Sequence, residues 1–348
     1  MPPSERPTPT LASVAASAGV SVATVSKVLN GRADVGAATR ARVQALLRQH
    51  DYVERRAESA GRAPAKQPTV ELVFHGKLTG YSLEILRGVI SAATEVGVAI
   101  AVSVRPRRQR TTGVDGTAAW VRHLAEVRRQ AVIDVVDDVR QGDLTALSKA
   151  PLPLVVIDPL NLPRRQVTSV GATNFAGGLS ATQHLLDLGH RRIAYMGAER
   201  ASAFNQARLH GYRAALEAAG VEIPDGYIRS GSTDYDDGVA GGAALHDLHE
   251  RPTAVFAATD EIAAGVVEAA RVRGLRVPQD VSVVGFDDTE AARLLSPPLT
   301  TVRQPLCEMG RVALRTALRL AAGEELESHH VELATELVVR SSTAEPPS

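Results

Sequence analysis

Carboxylate, hydroxyl and imidazole side chains follow the predicted β-strands in the larger, C-terminal part of the chain. The residues at these strand ends are His75, Asp158, Thr259, Asp260, Asp287 and Asp288. Ligands of open α/β sheets bind beyond the carboxyl ends of the strands. Carboxylates accept hydrogen bonds from vicinal hydroxyls, an arginine donates to two oxygens at once, and an aromatic ring covers an apolar sugar face. The pattern therefore predicts a site for a neutral polyol.

The elements that would position these side chains alternate between strand and helix from Val70 onward. Such alternation is typical of parallel sheets built from βαβ units. The strand candidates are 70–74, 98–104, 131–136, 154–158, 193–197, 254–258 and 281–286, and the helix candidates include 82–96, 174–188, 207–219 and 261–273. These elements are too many for one sheet, so we expect two sequential α/β lobes with the pocket in the cleft between them.

Composition divides the rest of the chain. Residues 1–9 are rich in Pro and Ser, and residues 61–69 form a Gly, Pro and Lys linker. We predict a disordered N-terminus at 1–9, a helix-turn-helix at 10–60, a linker at 61–69, an N-lobe at 70–167, a C-lobe at 168–340 with a return to the N-lobe near 298–330, and a disordered tail at 341–348.

Residues 10–30 have the pattern of two short helices joined by a glycine turn. Thr10 and Ser21 have side chains that cap helix N-termini, and Gly19 can end the first helix in the left-handed conformation. Apolar residues at helical spacing would form a small core with a third helix at 39–50; they are Leu11, Val14, Ala15, Ala18, Val25, Val28, Leu29, Val43, Leu46 and Leu47. The second helix of such a unit enters the major groove of DNA. A helical bundle without a DNA role is the alternative.

Charge supports a nucleic-acid surface in this segment. Residues 1–68 contain ten Lys and Arg but only five Asp and Glu, whereas the whole chain has a formal net charge of +0. A basic segment on a balanced chain indicates local contact with nucleic acid. A solvated basic tail is the other interpretation.

The run Leu11–Gly31, LASVAASAGVSVATVSKVLNG, closely resembles the N-terminal signature of the lactose/galactose-repressor (LacI/GalR) family. Further family landmarks occur in the same order at 39–52, 191–195, 208–212, 259–260, 281–288 and 298–302. The resemblance covers nearly the whole chain. It implies a small all-α helix-turn-helix domain followed by an α/β two-lobed domain like that of periplasmic binding proteins.

The resemblance also implies a function. We expect a cytoplasmic homodimer that binds palindromic double-stranded operator DNA, represses carbohydrate-utilisation genes and is controlled by a sugar or sugar-derivative effector. The positions that read bases are Val22, Ala23 and Lys27, and those that hold phosphates are Ser21, Thr24, Ser26, Asn30 and Thr39. The sequence leaves open whether the effector releases DNA or promotes binding, and whether two dimers associate.

The same resemblance implies the effector-binding residues. Asp287 and Arg208 are the first candidates, and the others are Asp158, Tyr235, Thr259, Gln304 and Tyr81. Three of these have structural alternatives: Asp287 could cap a helix, Arg208 could lie on the surface, and Tyr81 could be a core aromatic residue.

The segment after Tyr52 departs from the family pattern. The family usually has Tyr-x-Pro-Asn and then a leucine that wedges into the minor groove at the operator centre. Here Glu54 replaces the proline, and Gly61 stands where the leucine belongs. We expect the wedge to be missing. The basic residues that could instead grip phosphate or an AT-rich minor groove are Arg55, Arg56 and Arg62.

Several other classes of protein are disfavoured. Cys307 is the only cysteine, and no histidine spacing typical of metal sites occurs, so we expect no disulfide, metal or other cofactor. The first residues have no apolar stretch typical of a secretory signal, and we find no membrane span. A solute-binding protein would need an export signal. A sugar-acting α/β enzyme would need a catalytic constellation, and the sequence shows none, so we predict that the protein is not an enzyme.

Overall fold

The computed structural model describes residues 11–29, 32, 35–49, 67–106, 116–136, 141–161, 167–197 and 202–347. The chain divides into two compact units, residues 1–67 and residues 68–348. In the described residues, the first unit contains helices only, and the second contains two β-sheets with helices packed on them. The predicted fold class, a helix-turn-helix unit followed by a two-lobed α/β unit, is confirmed.

The helices of the first unit are α1 (Leu11–Ala18), α2 (Val22–Leu29) and α3 (Ala37–Gln49). Gly19 ends α1 with a φ of 65°, and the Ser21 hydroxyl accepts a hydrogen bond from the Thr24 backbone N–H at 3.1 Å, which caps α2. The side chains buried between the helices are Val14, Ala15, Ala18, Val25, Val28, Val43 and Leu47. Thr10 and the side chains of Leu11 and Leu29 lie outside the described residues.

The first sheet of the second unit consists of β1 (Thr69–His75), β2 (Ala99–Arg105), β3 (Arg129–Val135), β4 (Leu154–Ile157), β5 (Thr168–Ala172) and β11 (His330–Leu333). Their order is β11–β5–β4–β3–β1–β2, and all the pairs are parallel. Leu72 packs into one hydrophobic cluster and its neighbour Val73 into another. Because both faces of the sheet are covered, its central strands are rich in apolar residues, and β4 (LVVI) is entirely apolar, as is usual for parallel sheets.

The second sheet consists of β6 (Ile193–Gly197), β7 (Ile228–Ser230), β8 (Ala254–Ala257), β9 (Ser282–Asp287), β10 (Thr300–Arg303) and β12 (Glu336–Val338). Their order is β12–β10–β9–β8–β6–β7, and β12 alone runs antiparallel to its neighbour. Three rings fill the centre of its core. Phe256 lies with its ring centroid 5.4 Å from Tyr195 and 6.5 Å from Phe286.

The helices on the first sheet are α4 (Gly80–Val96), α5 (Gly116–Glu126), α6 (Gln141–Lys149) and α12 (Leu306–Ala321), and those on the second are α7 (Asn174–Asp187), α8 (Ala203–Ala218), α9 (Tyr235–His246), α10 (Asp260–Val272) and α11 (Glu290–Leu294). Glycines let paired helices touch through their backbones. A Cβ at Gly88 on α4 would lie 1.8 Å from the Cys307 carbonyl oxygen on α12, and one at Gly178 on α7 would lie 2.3 Å from the Arg208 carbonyl oxygen on α8.

We call each sheet with its helices a lobe. In the described residues the chain passes between the lobes three times: between β5 and α7, between β10 and α12, and between β11 and β12. The prediction that the second lobe begins at residue 168 is wrong, because β5 pairs with β4 and β11 in the first sheet. The first crossover therefore follows Ala172.

The predicted disorder of the C-terminal tail is also wrong for residues 341–347. Ser342 is fully buried against the second sheet. Its hydroxyl donates to the Val283 carbonyl at 2.6 Å and accepts from the Thr300 N–H at 2.8 Å. The tail is ordered because its polar groups satisfy strand ends that would otherwise be left unpaired.

Candidate functional site

Two predicted site residues at strand ends have backbone conformations that residues other than glycine rarely adopt. Asp158 follows β4 with a φ of 45°, and Asp287 ends β9 with a φ of 115°. Such residues persist only where their surroundings hold them, and they cluster at binding sites. One of them belongs to each lobe.

On the first lobe, Asp158 is paired with an aromatic residue of α4. The Tyr81 hydroxyl donates to Asp158 Oδ2 at 2.7 Å. Burial raises the pKa of the Asp158 carboxyl, while the Tyr81 hydrogen bond and the Arg208 charge act to lower it. Burial, followed by the Asp158 charge, raises the pKa of Tyr81 well above its usual value. Tyr81 is therefore a neutral donor to a buried carboxyl group.

On the second lobe, Arg208 of α8 is 2% exposed and held in one orientation. Its Nε donates to Asn174 Oδ1 at 2.8 Å and its Nη1 to the Ala258 carbonyl at 2.5 Å. The guanidinium lies 3.7 Å above the centroid of the Phe286 ring, a cation–π arrangement. Its Nη1 is 3.6 Å from Asp287 Oδ1, within ion-pair range but too far for a hydrogen bond.

Asp287 has a second neighbour at the end of the next strand. Gln304 Nε2 donates to Asp287 Oδ1 at 2.6 Å. Gln304 Oε1 is buried and has no hydrogen-bond partner within the described part of the chain. Burial raises the pKa of Asp287 well above its usual value; the Arg208 charge opposes this, and the charges of Asp260 and Glu261 add to it.

These pairs from the two lobes are close enough for their charges to interact. The Arg208 charge acts on Asp158 and on Tyr81, and the Asp287 charge also acts on Tyr81. The structure thus brings together five predicted effector residues, namely Tyr81, Asp158, Arg208, Asp287 and Gln304. They offer buried hydrogen-bond donors and acceptors, a combination that can bind a polyhydroxylated molecule.

The other residues singled out in the sequence have different surroundings. Thr259 caps α10 by accepting a hydrogen bond from the Ile262 N–H at 3.1 Å. Tyr235 begins α9, is 43% exposed and lies within electrostatic range of Arg271 on α10. His75 Nε2 lies 2.7 Å from Asp134 Oδ1, and both side chains are buried within the first lobe. The described contacts of these residues do not join them to the five.

The first unit presents polar side chains on α2 and around it. Ser21, Val22, Ala23 and Lys27 are exposed, and Val22 is 46% exposed despite being apolar. Thr24, Ser26 and Thr39 are half-buried. The predicted contact residues Asn30, Arg55 and Arg56 lie outside the described residues. An exposed face with hydroxyls, one lysine and apolar tips can meet both the phosphates and the base edges of DNA.

The described residues contain neither a metal-binding cluster nor a membrane-spanning helix. There, no group of three His, Cys, Asp or Glu side chains is arranged to hold a metal ion. Across the same ranges, no helix has the length and apolar character needed to span a bilayer.

Comparison with known proteins identifies the family. Residues 10–54 match the profile of bacterial regulatory proteins of the lacI family, and residues 182–343 match the periplasmic binding protein-like domain. The chain is 35% identical to the HTH-type transcriptional regulator CelR of Thermobifida fusca, with 96% of this chain and 98% of the relative covered. It is 31% identical to catabolite control protein A of Priestia megaterium, with 96% and 99% covered. The chain belongs to the lacI family.

Solved structures of lacI-family proteins have the same architecture. A CelR–cellobiose complex matches with a TM-score of 0.71 and 34% identity, over 96% of this chain and 99% of that one. A lac repressor dimer bound to operator and the anti-inducer ONPF matches with a TM-score of 0.70 and 28% identity, over 97% and 100%. The predicted class is confirmed: the protein is a DNA-binding transcriptional regulator. The comparisons do not support the alternatives of an enzyme or a solute-binding protein.

Among the residues that organise the cleft, sequence reasoning missed Asn174 and Phe286, and it named Asp260 only as a strand-end residue. Asn174 and Phe286 orient Arg208, as described above. Asp260 is fully buried and accepts from the Thr289 N–H at 2.7 Å and from the Thr301 hydroxyl at 2.6 Å. Burial raises the pKa of Asp260 to about 7. Its position just after β8 indicated a place near the site. Its partners Thr289 and Thr301 could not be predicted, because they come close to Asp260 only through the pairing of β8, β9 and β10.

Proposed function

We propose that this protein is a homodimeric repressor of carbohydrate-utilisation genes, controlled by a small sugar or sugar-derivative effector bound between its lobes. The observation that carries this proposal is the convergence of Tyr81 and Asp158 from one lobe with Arg208 and Asp287 from the other. As a regulator of chromosomal genes it would act in the cytoplasm.

The chemistry of the cleft supports a polyol as the effector. Two buried carboxyl groups can accept hydrogen bonds from vicinal hydroxyls, and Arg208 can donate to ring or hydroxyl oxygens. Gln304 Oε1 is a buried acceptor in need of a donor, and a hydroxyl supplies one. Among the relatives, CelR was solved with cellobiose, and another is named ribose operon repressor. We retain Thr259 and Tyr235 as further effector contacts.

The DNA contacts are proposed from α2 and its surroundings. Val22 and Ala23 would pack on thymine methyl groups, and Lys27 would donate to a guanine edge. The residues that would hold phosphates are Ser21, Thr24, Ser26, Asn30 and Thr39, with Arg55 and Arg56 in or beside the minor groove. Two copies in a dimer would read a palindrome with half-sites about one helical turn, or a multiple of it, apart.

Regulation follows from linkage between the two sites. An effector that contacts both lobes stabilises one arrangement of them. If the dimer holds its DNA heads correctly in only one arrangement, operator affinity changes by the coupling free energy, typically about 1–3 kcal/mol.

Operator binding is tested with the intact protein and a version that begins at Pro68. We expect the intact protein to select palindromic duplexes from a random pool at moderate salt, and the shortened version to select none. Lys27→Ala should weaken binding and relax the preference for guanine at the position that Lys27 contacts. Equal retention of palindromes by the intact and shortened proteins would refute the regulator mechanism.

Effector binding is tested by calorimetry with cellobiose first and a panel of mono- and disaccharides after it. Asp287→Asn should weaken sugar binding by about 10- to 150-fold, the equivalent of one hydrogen bond to a charged group. The matched control is Asp247→Asn, because Asp247 is an exposed residue paired with Arg273 on the same lobe. If no sugar binds, or if both variants bind like the wild type, the proposed effector site is wrong.

A further inference from the structure

Three arginines converge on one buried carboxylate at the edge of the second lobe, outside the five site residues. Asp288 follows β9, has a φ of 55°, and its side chain is 1% exposed. It accepts hydrogen bonds from Arg303 Nε at 2.7 Å and from Arg340 Nη2 at 2.5 Å, and Arg293 Nη2 lies 4.0 Å away. Charge-assisted hydrogen bonds from two of these arginines fix the orientation of the Asp288 carboxylate.

Asp288 and its neighbour hold two consecutive residues at a crossover between the lobes. Arg303 is the last residue of β10, from which the chain passes to the first lobe. Asp288 binds Arg303, and Asp287 binds the next residue, Gln304, at 2.6 Å. The Gln304 N–H also donates to the Asp287 carbonyl at 3.3 Å. Asp288 and Asp287 therefore hydrogen-bond to Arg303 and Gln304, the two consecutive residues at which this crossover begins.

The other two crossovers join the same region. Glu336, the first residue of β12, lies 3.4 Å from Arg303 Nη1. Its neighbour Thr335 donates its backbone N–H to the Thr173 hydroxyl at 3.0 Å, and Thr173 lies in the first crossover. The Arg303–Glu336 pair is exposed and therefore weak. The contact between Arg303 and the buried Asp288 is the strong link.

We infer that Asp288 is a positioning residue that connects the effector-facing Asp287 to the interlobe crossovers. The effector role of Asp287 in this inference rests on the proposed function. Neutralising Asp288 would remove the buried carboxylate that holds Arg303 and Arg340, leaving Arg303 only its exposed pairing with Glu336 and leaving the largely buried Arg340 without a countercharge among its described contacts. Arg303 would then turn to solvent, and the crossover would lose its fixed position beside Asp287.

The decisive measurement needs no effector. Spin labels at Lys149→Cys on the first lobe and Glu217→Cys on the second, in a Cys307→Ser background, report the distance between the lobes by pulsed electron resonance. Labelled chains are diluted into unlabelled protein so that each signal comes from one chain. We expect Asp288→Asn to broaden the distance distribution of the ligand-free protein beyond the wild-type width, and Asp288→Glu to restore it in part.

The control is Asp280→Asn, which removes the carboxylate partner of the exposed Arg276 on the same lobe, at a half-buried position whose described contacts do not include the crossovers; it should leave the distribution unchanged. Arg303→Gln breaks the link to the crossover while Asp288 keeps Arg340, so it decides the matter if Asp288→Asn does not fold. It too should broaden the distribution. A wild-type distribution in every variant that folds would overturn the inference.

A second readout separates positioning from a simple loss of stability. With cellobiose as the probe, the wild type should change its operator affinity by about 5- to 150-fold, and Asp288→Asn by less than about threefold, at saturating sugar in both cases. A variant that is only less stable would contain less folded protein, but its folded molecules would show the wild-type ratio of operator affinities with and without sugar. If the wild type does not respond to cellobiose, the sugar assignment is wrong for that probe, whereas the ligand-free lobe distances still decide the role of Asp288.

Discussion

Replacing a buried histidine should stabilise the second lobe. His246, on the last turn of α9, is 7% exposed, and neither ring nitrogen has a hydrogen-bond partner of normal geometry among the described residues. A buried polar group left unpaired costs about 1–3 kcal/mol. We expect His246→Leu, which is close in volume, to raise the free energy of unfolding at neutral pH by about that amount.

The same imidazole should make stability depend on pH. Burial lowers the pKa of His246 from 6.5 to about 4; the nearby Val266 backbone opposes this shift, and the charges of Arg273 and Arg251 act in the same direction as burial. Between these two values the unfolded chain binds the proton that the folded chain excludes. Stability is therefore complete above pH 6.5 and is lost as the pH falls toward 4. From neutral pH to about pH 5 the loss amounts to about 2 kcal/mol.

Urea unfolding of the wild type and His246→Leu, near pH 7.5 and near pH 5, measures both effects. The stability gap between the two proteins should widen by about 2 kcal/mol at the lower pH. His184 and His190, whose pKa values burial also lowers, are present in both proteins and cancel in the difference. The control is His249→Leu, at an exposed position on the same lobe. A gap that does not change with pH, or a loss of stability at neutral pH, would refute the reasoning.

Other substitutions test the helix contacts, the cap and the cleft. Gly88→Ala should lower the free energy of unfolding by about 1–3 kcal/mol because its Cβ would meet a backbone oxygen, whereas Gly142→Ala, in open space, should be neutral or stabilise by about 0.5–1 kcal/mol; urea unfolding compares the two. Ser21→Ala removes the cap of α2, and hydrogen exchange at 22–29 should report a local loss of about 1 kcal/mol. Tyr81→Phe removes the donor to Asp158, and calorimetry should show weaker binding of any sugar that the wild type binds.

Each of these expectations has a contrary outcome. Equal stability of the two alanine variants would mean that α4 and α12 are not in backbone contact. Unchanged exchange in Ser21→Ala would mean that the hydroxyl does not cap the helix. Sugar affinity in Tyr81→Phe equal to that of the wild type would remove the phenol from the effector site.

The strands that sequence reasoning found and missed differ in composition. The run Val70–Phe74 is apolar apart from Glu71 and appears in the structure as β1 with one more residue at each end. By contrast, β5 (TSVGA) and β10 (TTVR) are short, contain Thr and Gly, and have no clear period. They are strands because neighbouring strands pair with them on both sides. The error in the lobe boundary followed from this non-local effect.

As with the strands, part of the candidate site could be predicted from the sequence and part could not. Strand ends and family resemblance together gave Asp158, Asp287 and Arg208. The hydrogen bond between the Gln304 amide and Asp287 depends on the register between β9 and β10. That register pairs Arg303 with Asp287 and so brings the next residue, Gln304, beside the Asp287 carboxyl group. The burial of Ser342 depends likewise on strand edges far away in the sequence. Contacts of this kind cannot be read from local patterns in one chain.

The cleft concentrates features that oppose folding, and this concentration argues for a ligand. Asp158, Asp260 and Asp287 are buried, and burial raises the pKa of each carboxyl group. The buried Arg208 guanidinium is the cation that acts on Asp158 and Asp287. An amide oxygen is left unpaired there, and two strand ends have strained backbones. Each feature would be disfavoured in a site that served stability alone. Hydroxyl donors from a bound polyol would stabilise the carboxylates and satisfy the amide together, so the same groups that weaken the empty cleft give the ligand its binding energy.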